Sequence, residues 1–429
     1  MLKTQCLPVL IRFDVSIGQE YTVDMFIRKA YKFRLKPSAK QEAQLHQYAG
    51  AVRFAWNKVL ALNLDRLRNK QPLIWYNEAD YWSKLWKSSN EYGFLSDVPA
   101  HCLQQKLRDL DKAFRDGFDR KQPLKHLPRF KKRGVNDSIR FPEPKHIQIL
   151  NRRIKFPKLG WIGFFKSQVI NGVVKNATIS RQGQHWYVSI QVEQKIISEP
   201  LNTTSEIGID MGIASFATLS TGEMIKPINS FRILEKKLAE AQKSLSHKQR
   251  FSNNWKKQKA TIQKLHRKIA NTRHDFLHKS STTLCKNHAM IVVEDLKIKN
   301  MSKSAKGTMD TPGKRVSAKA GLNKSILDQG WGEFRRQLEY KLDWAGGVFV
   351  KVPPHYTSQR CCNCGHADKD NRKNQAQFQC RKCGYSDHAD INAAKNILAA
   401  GHAVLACGEE PLGASMKQEL LRTSNQLAA

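Results

Sequence analysis

The 429-residue sequence predicts a multidomain α+β protein: an N-terminal antiparallel β-barrel split by a helical insert, then an α/β core carrying an inserted four-cysteine zinc ribbon. Three observations predict it. A basic strand at 26–35 is separated by a helical stretch from a run of short strands at 138–198. Beyond 205, buried strands are divided by a long helical segment. Near the C-terminus two cysteine pairs stand at ribbon spacing.

The charge sets the kind of partner. The chain holds 73 Lys and Arg against 37 Asp and Glu, a net charge of +36, and its pI is near 9.9. Each phosphate neutralised by such a surface releases counterions and adds sequence-independent affinity, so a polyanion is the natural ligand. Ribosomal and membrane-surface proteins can be equally basic, but the size, the mixed composition and the lack of an amphipathic anchor favour nucleic acid. A hydrophobic content of 40% excludes a mainly disordered chain. No apolar run approaches the roughly 20 residues needed to span a bilayer. Residues 1–24 contain Lys3, Arg12, Asp14 and Glu20 and lack an apolar core, so they do not read as a signal peptide. Met25 opens a more regular strand, MFIRKAYKFRL. Residues 1–24 are therefore expected to be a dispensable extension, with the natural start at Met25.

Along the chain, residues 25–37 read as the first barrel strand, with apolar positions alternating against Arg28, Lys32 and Arg34, and Pro37-Ser38 ends it. Residues 38–125 read as a helical domain, with Leu45, Tyr48, Val52, Trp56, Leu103, Leu107, Leu110 and Phe114 at helical spacing. Residues 126–200 hold the remaining barrel strands, SIRFP, HIQIL, RIKFP, WIGFF, ATISR and HWYVSIQVEQ, after a Pro- and Lys-rich passage. The core spans 205–355. It begins with EIGIDMGIASFATLSTGEMI, read as two strands joined by a tight turn. Residues 231–279 carry fourteen Lys/Arg against three Asp/Glu and read as one long helix or a helical hairpin. A solvated face would explain those charges, and so would a nucleic-acid track. HAMIVVEDL is a buried strand, the Ser/Lys/Gly-rich stretch 302–325 a mobile loop, WGEFRRQLEYKLDWAG a helix and GVFVKVP a strand. The ribbon occupies 356–388, the core resumes over 389–410, and 411–429 is a flexible tail.

The nine cysteines form no disulfide framework. Cys361-x2-Cys364 and Cys380-x2-Cys383 are separated by fifteen residues, and each pair ends in glycine, Gly365 or Gly384. Four thiolates so spaced close a tetrahedron around Zn²⁺ and leave no position open, which makes the zinc structural. Such a pattern belongs to a reducing compartment. Cys6, Cys102, Cys285, Cys362 and Cys407 fit no spacing, and Cys362 is a spectator between two ligands.

Three acids stand out by context. Asp210 lies in IGIDMGIA, where Ile207, Ile209, Met211 and Ile213 share one face, so Asp210 points to the other, beside Gly208 and Gly212, which would leave room for a metal and a phosphate. Glu294 ends the buried run Met290–Val293, and Asp295 should point the opposite way. Asp390 begins a helix, HADINAAKNIL. Singly these acids have plain explanations: a turn residue, a strand-end charge, a helix N-cap. Together, in so basic a chain, they fit Mg²⁺, whose hard oxygen ligands hold two ions roughly 3.5–4 Å apart for phosphodiester hydrolysis.

The blocks KAYKFRLKPSAKQEAQLHQYAGAVRFAWNKVL, GIDMGIASFATLS, IVVEDLKIKNM, WGEFRRQLEYKLDWAG, TSQRCCNCG and FQCRKCGYSDHADINAAKNIL resemble the successive signatures of the TnpB (OrfB) proteins. These are encoded by bacterial insertion sequences and related to the type V CRISPR effectors. The resemblance covers about residues 25–400, and only the first 24 residues depart from it. It implies an RNase H/RuvC-like core, with catalytic Asp210, Glu294 and Asp390 holding Mg²⁺ and with Cys361, Cys364, Cys380 and Cys383 holding one structural Zn²⁺. Asp387 lies outside the motif, which starts at Asp390. The barrel would be wedge-like and the helical insert a recognition domain. The implied activity is RNA-guided DNA cleavage in a prokaryotic cytoplasm. The guide RNA would come from the transposon end, and the target would be double-stranded DNA beside a short flanking motif. The loop 302–325 would serve as a lid near Glu294. Two other classes fit less well: a nuclease-inactive RNA-guided repressor, which would have lost acids from the triad, and a transposase joining DNA ends itself.

Overall fold

The computed structural model describes residues 24–122, 124–197, 203–355 and 357–406, so all but the last residue of the expected extension 1–24, the last four residues of the core segment 389–410 and the whole expected tail 411–429 lie outside the described residues. The chain divides into two compact units at Ile196/Ile197.

In the first unit, strand β1 (Asp24–Lys36) alternates as expected: Ile27, Tyr31, Phe33 and Leu35 are buried, while Arg28, Lys32 and Arg34 are exposed. Ser38 then caps helix α1 (Ala39–Arg68) in a reciprocal box with Gln41, satisfying donors that the first helical turn leaves open. Helices α2 (Tyr76–Ser88) and α3 (Ala100–Phe118) complete the helical insert. All six later strands expected from the sequence are present: β2 (Ser138–Phe141), β3 (Gln148–Leu150), β4 (Arg153–Phe156), β5 (Gly160–Phe164), β6 (Val173–Gln182) and β7 (His185–Ile197). With β1 they make one seven-stranded sheet in the order β2-β6-β7-β1-β5-β4-β3. Its end strands, β2 and β3, are not hydrogen-bonded neighbours in that order. A single core fuses sheet and helices, with Leu45, Tyr48 and Phe114 packed in the same cluster as Phe33, Phe164 and Trp186.

The second unit is built on a five-stranded sheet, β10-β9-β8-β11-β12. Its members are β8 (Glu206–Asp210), β9 (Ala217–Leu219), β10 (Met224–Ile225), β11 (Met290–Glu294) and β12 (Val348–Val352). The passage expected to give two strands gives three, because the short Met224-Ile225 pair folds back on β9. β8, β9 and β10 form an antiparallel meander, whereas β11 lies parallel to both β8 and β12. Parallel neighbours need crossovers, and helices supply them.

The basic segment is a hairpin, α4 (Ser230–Ser246) and α5 (Asn253–Asn287), closed by Leu238, Ala241, Ile262 and Ile269, with Lys256, Lys257, Lys264 and Lys268 exposed. After the short α6 (Ile298–Met301), the expected mobile loop 302–325 is corrected: its second half is part of helix α7 (Val316–Gln329). The Ser, Lys and Gly content hid this helix, which is anchored by buried Ile326 and by Asp328. The Asp328 carboxylate accepts from Ser230 Oγ and the Phe231 amide, capping α4 in place of Asn229. Helix α8 (Trp331–Trp344) follows. A ribbon hairpin, β13 (Gln377–Gln379) and β14 (Ser386–His388), then precedes α9 (Ala389–Ala406).

The sheet is covered on both faces. Ile207, Ile209, Ile291 and Val293 face α5 and α8 through Leu277, Leu284, Leu338 and Leu342. Met290, Val292, Val350 and Val352 face α9 through Ile397. Gly208 belongs to this second face, and a Cβ there would lie 2.2 Å from the Ala394 carbonyl oxygen and 2.7 Å from the Leu398 nitrogen. A Cβ at Gly401 would meet the Val292 side chain at 2.4 Å. The expectation that Gly208 leaves room for a metal and phosphate is therefore corrected, because its missing side chain admits the backbone of α9. Gly208→Ala must push that helix off the sheet, and urea unfolding is expected to show a loss of roughly 1–3 kcal/mol.

Candidate active site and zinc ribbon

Strand alternation decides where the acids go. Asp210 ends β8 two residues after Gly208, on the face that α9 covers. In the β8–β11 ladder Val293 pairs with Ile209, so Glu294 lies beside Asp210 at the carboxyl ends of two parallel strands. Their backbones are therefore about 4.8 Å apart, the spacing of neighbouring strands. Such strand ends are where open α/β sheets bind ligands.

Helix α9 brings the third acid. Ala394 lies over Gly208, and Asp390 is one helical turn earlier. Four residues of helix advance about 6 Å, and two residues of strand about 6.6 Å. The step from Ala394 back to Asp390 thus matches the step from Gly208 on to Asp210. Asp390 lies inside the first turn of α9, so the plain alternative of a helix N-cap does not apply.

The three carboxylates feel one another. Asp210 is pushed up to about 7, first by burial and then by the negative charges of Glu294 and Asp390, with Arg372 opposing. Two partners of this cluster were not foreseen. The Thr357 hydroxyl, itself buried, donates to Glu294 Oε1 at 2.6 Å. Arg372, from the ribbon, donates to Asp390 Oδ1 at 3.1 Å. Asp295 points elsewhere, to Arg335 at 2.6 Å.

The ribbon itself is two matching knuckles. The Gly365 amide donates to the Cys361 carbonyl at 2.9 Å and the Gly384 amide to the Cys380 carbonyl at 3.0 Å. Both glycines sit at positive φ, +74° and +73°, which side chains disfavour. The four sulfurs lie within 4.8 Å of one another, with Cys361–Cys383 at 3.7 Å and Cys364–Cys380 at 3.6 Å. A tetrahedron of 2.3 Å metal–sulfur bonds has edges of about 3.8 Å, so the donor set fits one Zn²⁺. Cys383 is lowered to about 6, chiefly by the Tyr385 backbone amide, while burial pushes its neighbour Cys361 up to about 12. Cys362 stands apart, its amide bonded to Asn392 Oδ1 at 3.0 Å. Asp387 is engaged away from the acids, accepting from Lys395 of α9 at 2.7 Å and from Tyr385 of the ribbon at 2.6 Å.

Two asparagines on one face of α9 lock the ribbon to the core. Asn392 donates to the Arg360 carbonyl at 2.8 Å, and Asn396 to the carbonyls of Thr357 and Arg360 at 2.9 and 2.6 Å. The i, i+4 spacing in NAAKN was the available signal. Thr357 opens the signature block TSQRCCNCG, but its partner is 63 residues away, and Arg372, 18 residues from its partner, lies in none of the quoted blocks.

Known proteins resemble this chain over most of its length. A family model described as "Probable transposase", of OrfB/IS605 type, matches residues 189–305, and one described as "Cas12f1-like, TNB domain" matches 331–397. A "Helix-turn-helix domain" model matches 25–71, where the structure has β1 and the single long helix α1. InsQ of Escherichia coli (strain K12), named as a candidate RNA-guided DNA endonuclease, is 50% identical over 392 residues, 91% of this chain and 97% of that protein. A Streptomyces pristinaespiralis protein named for the same activity is 32% identical over 388 residues, 89% of this chain and 92% of its own length. A solved structure of the mini-RNA-guided endonuclease CRISPR-Cas_phi3 covers 87% of this chain and 92% of its own at 12% identity and a TM-score of 0.41.

The raised Asp210 gives a testable pH dependence. Without Mg²⁺ the native site keeps a proton that the unfolded chain releases near the ordinary aspartate value of about 4, so stability is full below that pH and is lost as pH rises to about 7. In Mg²⁺-free buffer with the ribbon zinc-filled, Asp210→Asn is expected to have a higher Tm than wild type at pH 8 and an equal one at pH 4. A lower Tm at pH 8 would contradict the assignment.

Proposed function

The chain belongs to the OrfB (TnpB) family of insertion-sequence proteins related to type V CRISPR effectors, and from that membership we propose an RNA-guided DNA endonuclease with a RuvC-like Asp-Glu-Asp site. The observation that carries this reading is the convergence of Asp210, Glu294 and Asp390 at the carboxyl ends of β8 and β11. The meander with two parallel strands beside its first strand is the architecture assigned to the RNase H/RuvC-like core. Outside that core, the seven-stranded sheet and helices α1–α3 are assigned to the wedge-like barrel and recognition domain.

Asp210, Glu294 and Asp390 supply the hard oxygen donors that suit Mg²⁺. Bound there as a pair of ions, Mg²⁺ would supply Lewis acidity and a readily deprotonated water. Thr357 fixes one oxygen of Glu294 and leaves the other free to face its neighbours. Arg372 balances the charge of Asp390 and offers a guanidinium suited to a phosphate. The exposed lysines of the α4–α5 hairpin suit a nucleic-acid backbone. A guide transcribed from the transposon end would pair with one DNA strand, while the N-terminal unit reads a short flanking motif. One Zn²⁺ in the four-cysteine site would hold the ribbon, and Arg372 with it, in shape.

Plasmid cleavage by protein copurified with its transposon-end RNA tests the reading. Cutting is expected to need the RNA and Mg²⁺, and to fall about 10³-fold or more in Asp210→Ala, Glu294→Ala and Asp390→Ala, the scale of loss when groups acting as one catalytic unit are removed. RNA-dependent binding without cutting by wild type would overturn it in favour of a guided repressor. Thr357→Val is expected to raise the Mg²⁺ concentration for half-maximal cleavage by roughly 10–100-fold, as loss of a metal ligand's supporting hydrogen bond does. An unchanged Mg²⁺ requirement would remove Thr357 from the site.

A further inference from the structure

Besides the ribbon cysteines, one group among the described residues brings three metal-ligating donor atoms within 4.8 Å of one another: His101, Glu143 and His146. They come from different elements. His101 is in the first turn of α3, Glu143 follows β2, and His146 ends a 3-10 turn, Pro144–His146, that leads to β3. His101 Nδ1 lies 2.9 Å from Glu143 Oε1, and His146 Nε2 lies 3.3 Å from Glu143 Oε2. The two imidazoles stack, with centroids 5.7 Å apart. Glu143 Oε2 is sealed from solvent and accepts no hydrogen bond, although His146 and Lys145 stand 3.3 and 3.5 Å away. A buried carboxylate oxygen without a directed donor calls for an explanation.

We propose that His101, Glu143 and His146 bind a divalent transition-metal ion of the Zn²⁺ class, which clips α3 to the β2–β3 connection. Two donors about 2.0–2.1 Å from one ion, at tetrahedral or octahedral angles, stand roughly 2.9–3.4 Å apart, and both imidazole–carboxylate separations fall in that range. The ion also gives Oε2 the partner it lacks. Two imidazoles and one carboxylate select zinc and its transition-metal neighbours, while Mg²⁺ prefers oxygen alone. The three side chains are 42%, 33% and 44% exposed, which gives the ion an entry path and leaves water to fill its remaining positions. Lys145, 73% exposed, is free to turn outward as the ion arrives. None of these residues belongs to the acidic site.

The experiment is zinc analysis of desalted full-length protein after incubation with Zn²⁺. Wild type is expected to retain two zinc ions per chain, Asp210→Ala also two, and His101→Gln and His146→Gln one each. Glu143→Gln, which keeps the shape of the side chain, gives a second reading of the same loss. Urea midpoints measured before zinc is added separate ligand loss from misfolding, and added Zn²⁺ should raise the Tm of wild type but not of the histidine variants. Co²⁺ added to protein with a zinc-filled ribbon should give visible bands without thiolate charge transfer, and these should vanish in His146→Gln. One zinc per wild-type chain, or a second ion that survives both histidine substitutions, would overturn the proposal.

Discussion

The candidate site depends on how closely α9 can approach the central sheet. Gly208 and Gly401 are the two places where a side chain would hold them apart, and at Gly208 the obstacle is the backbone of α9 itself, 2.2 Å from where a Cβ would stand. Backbone cannot rotate away as a side chain can. With the helix seated, its first turn reaches the ends of β8 and β11, and Asp390 joins two carboxylates already paired by strand register. The acidic cluster is therefore a product of packing as much as of residue choice.

That packing makes a site under electrostatic tension. Burial, and then the negative charges of Glu294 and Asp390, push Asp210 up to about 7. The chain offsets part of this with Arg372, which the ribbon delivers to Asp390, and fixes Glu294 through Thr357. Thr357 and Arg372 both belong to the segment inserted between β12 and α9, and Asn392 and Asn396 tie the start of that segment to α9. The four-cysteine knuckles hold Arg372 in a segment otherwise short of core. Ribbon and acids thus form one construction, although only the acids suit chemistry.

Much of this was legible in the sequence because the signals were local or periodic. Alternation along 26–35, the six short strands, the Gly-ended cysteine knuckles and the buried run ending in Glu294 all carry their meaning within a few residues. What failed to read were long-range consequences. Gly208 looked like space for a ligand because the sequence does not say which backbone passes beside it. The lysine and serine content of 316–325 concealed a helix whose stability rests on Ile326 and on the capping of α4 by Asp328. The third meander strand, Met224-Ile225, is too short to show a period. Thr357 opens the block TSQRCCNCG and Arg372 lies in none of the quoted blocks, but only the fold brings either to the acids.

Whether the seating of α9 creates the proposed metal site is tested most directly by Mn²⁺ titration followed by electron paramagnetic resonance. Wild type is compared with Gly208→Ala, a variant that keeps every acid. Mn²⁺ takes the same oxygen donors as Mg²⁺. Mn²⁺ is expected to bind at least about 10-fold more weakly to the variant, the scale seen when a ligand loses its support. Equal affinity in the two proteins would contradict it.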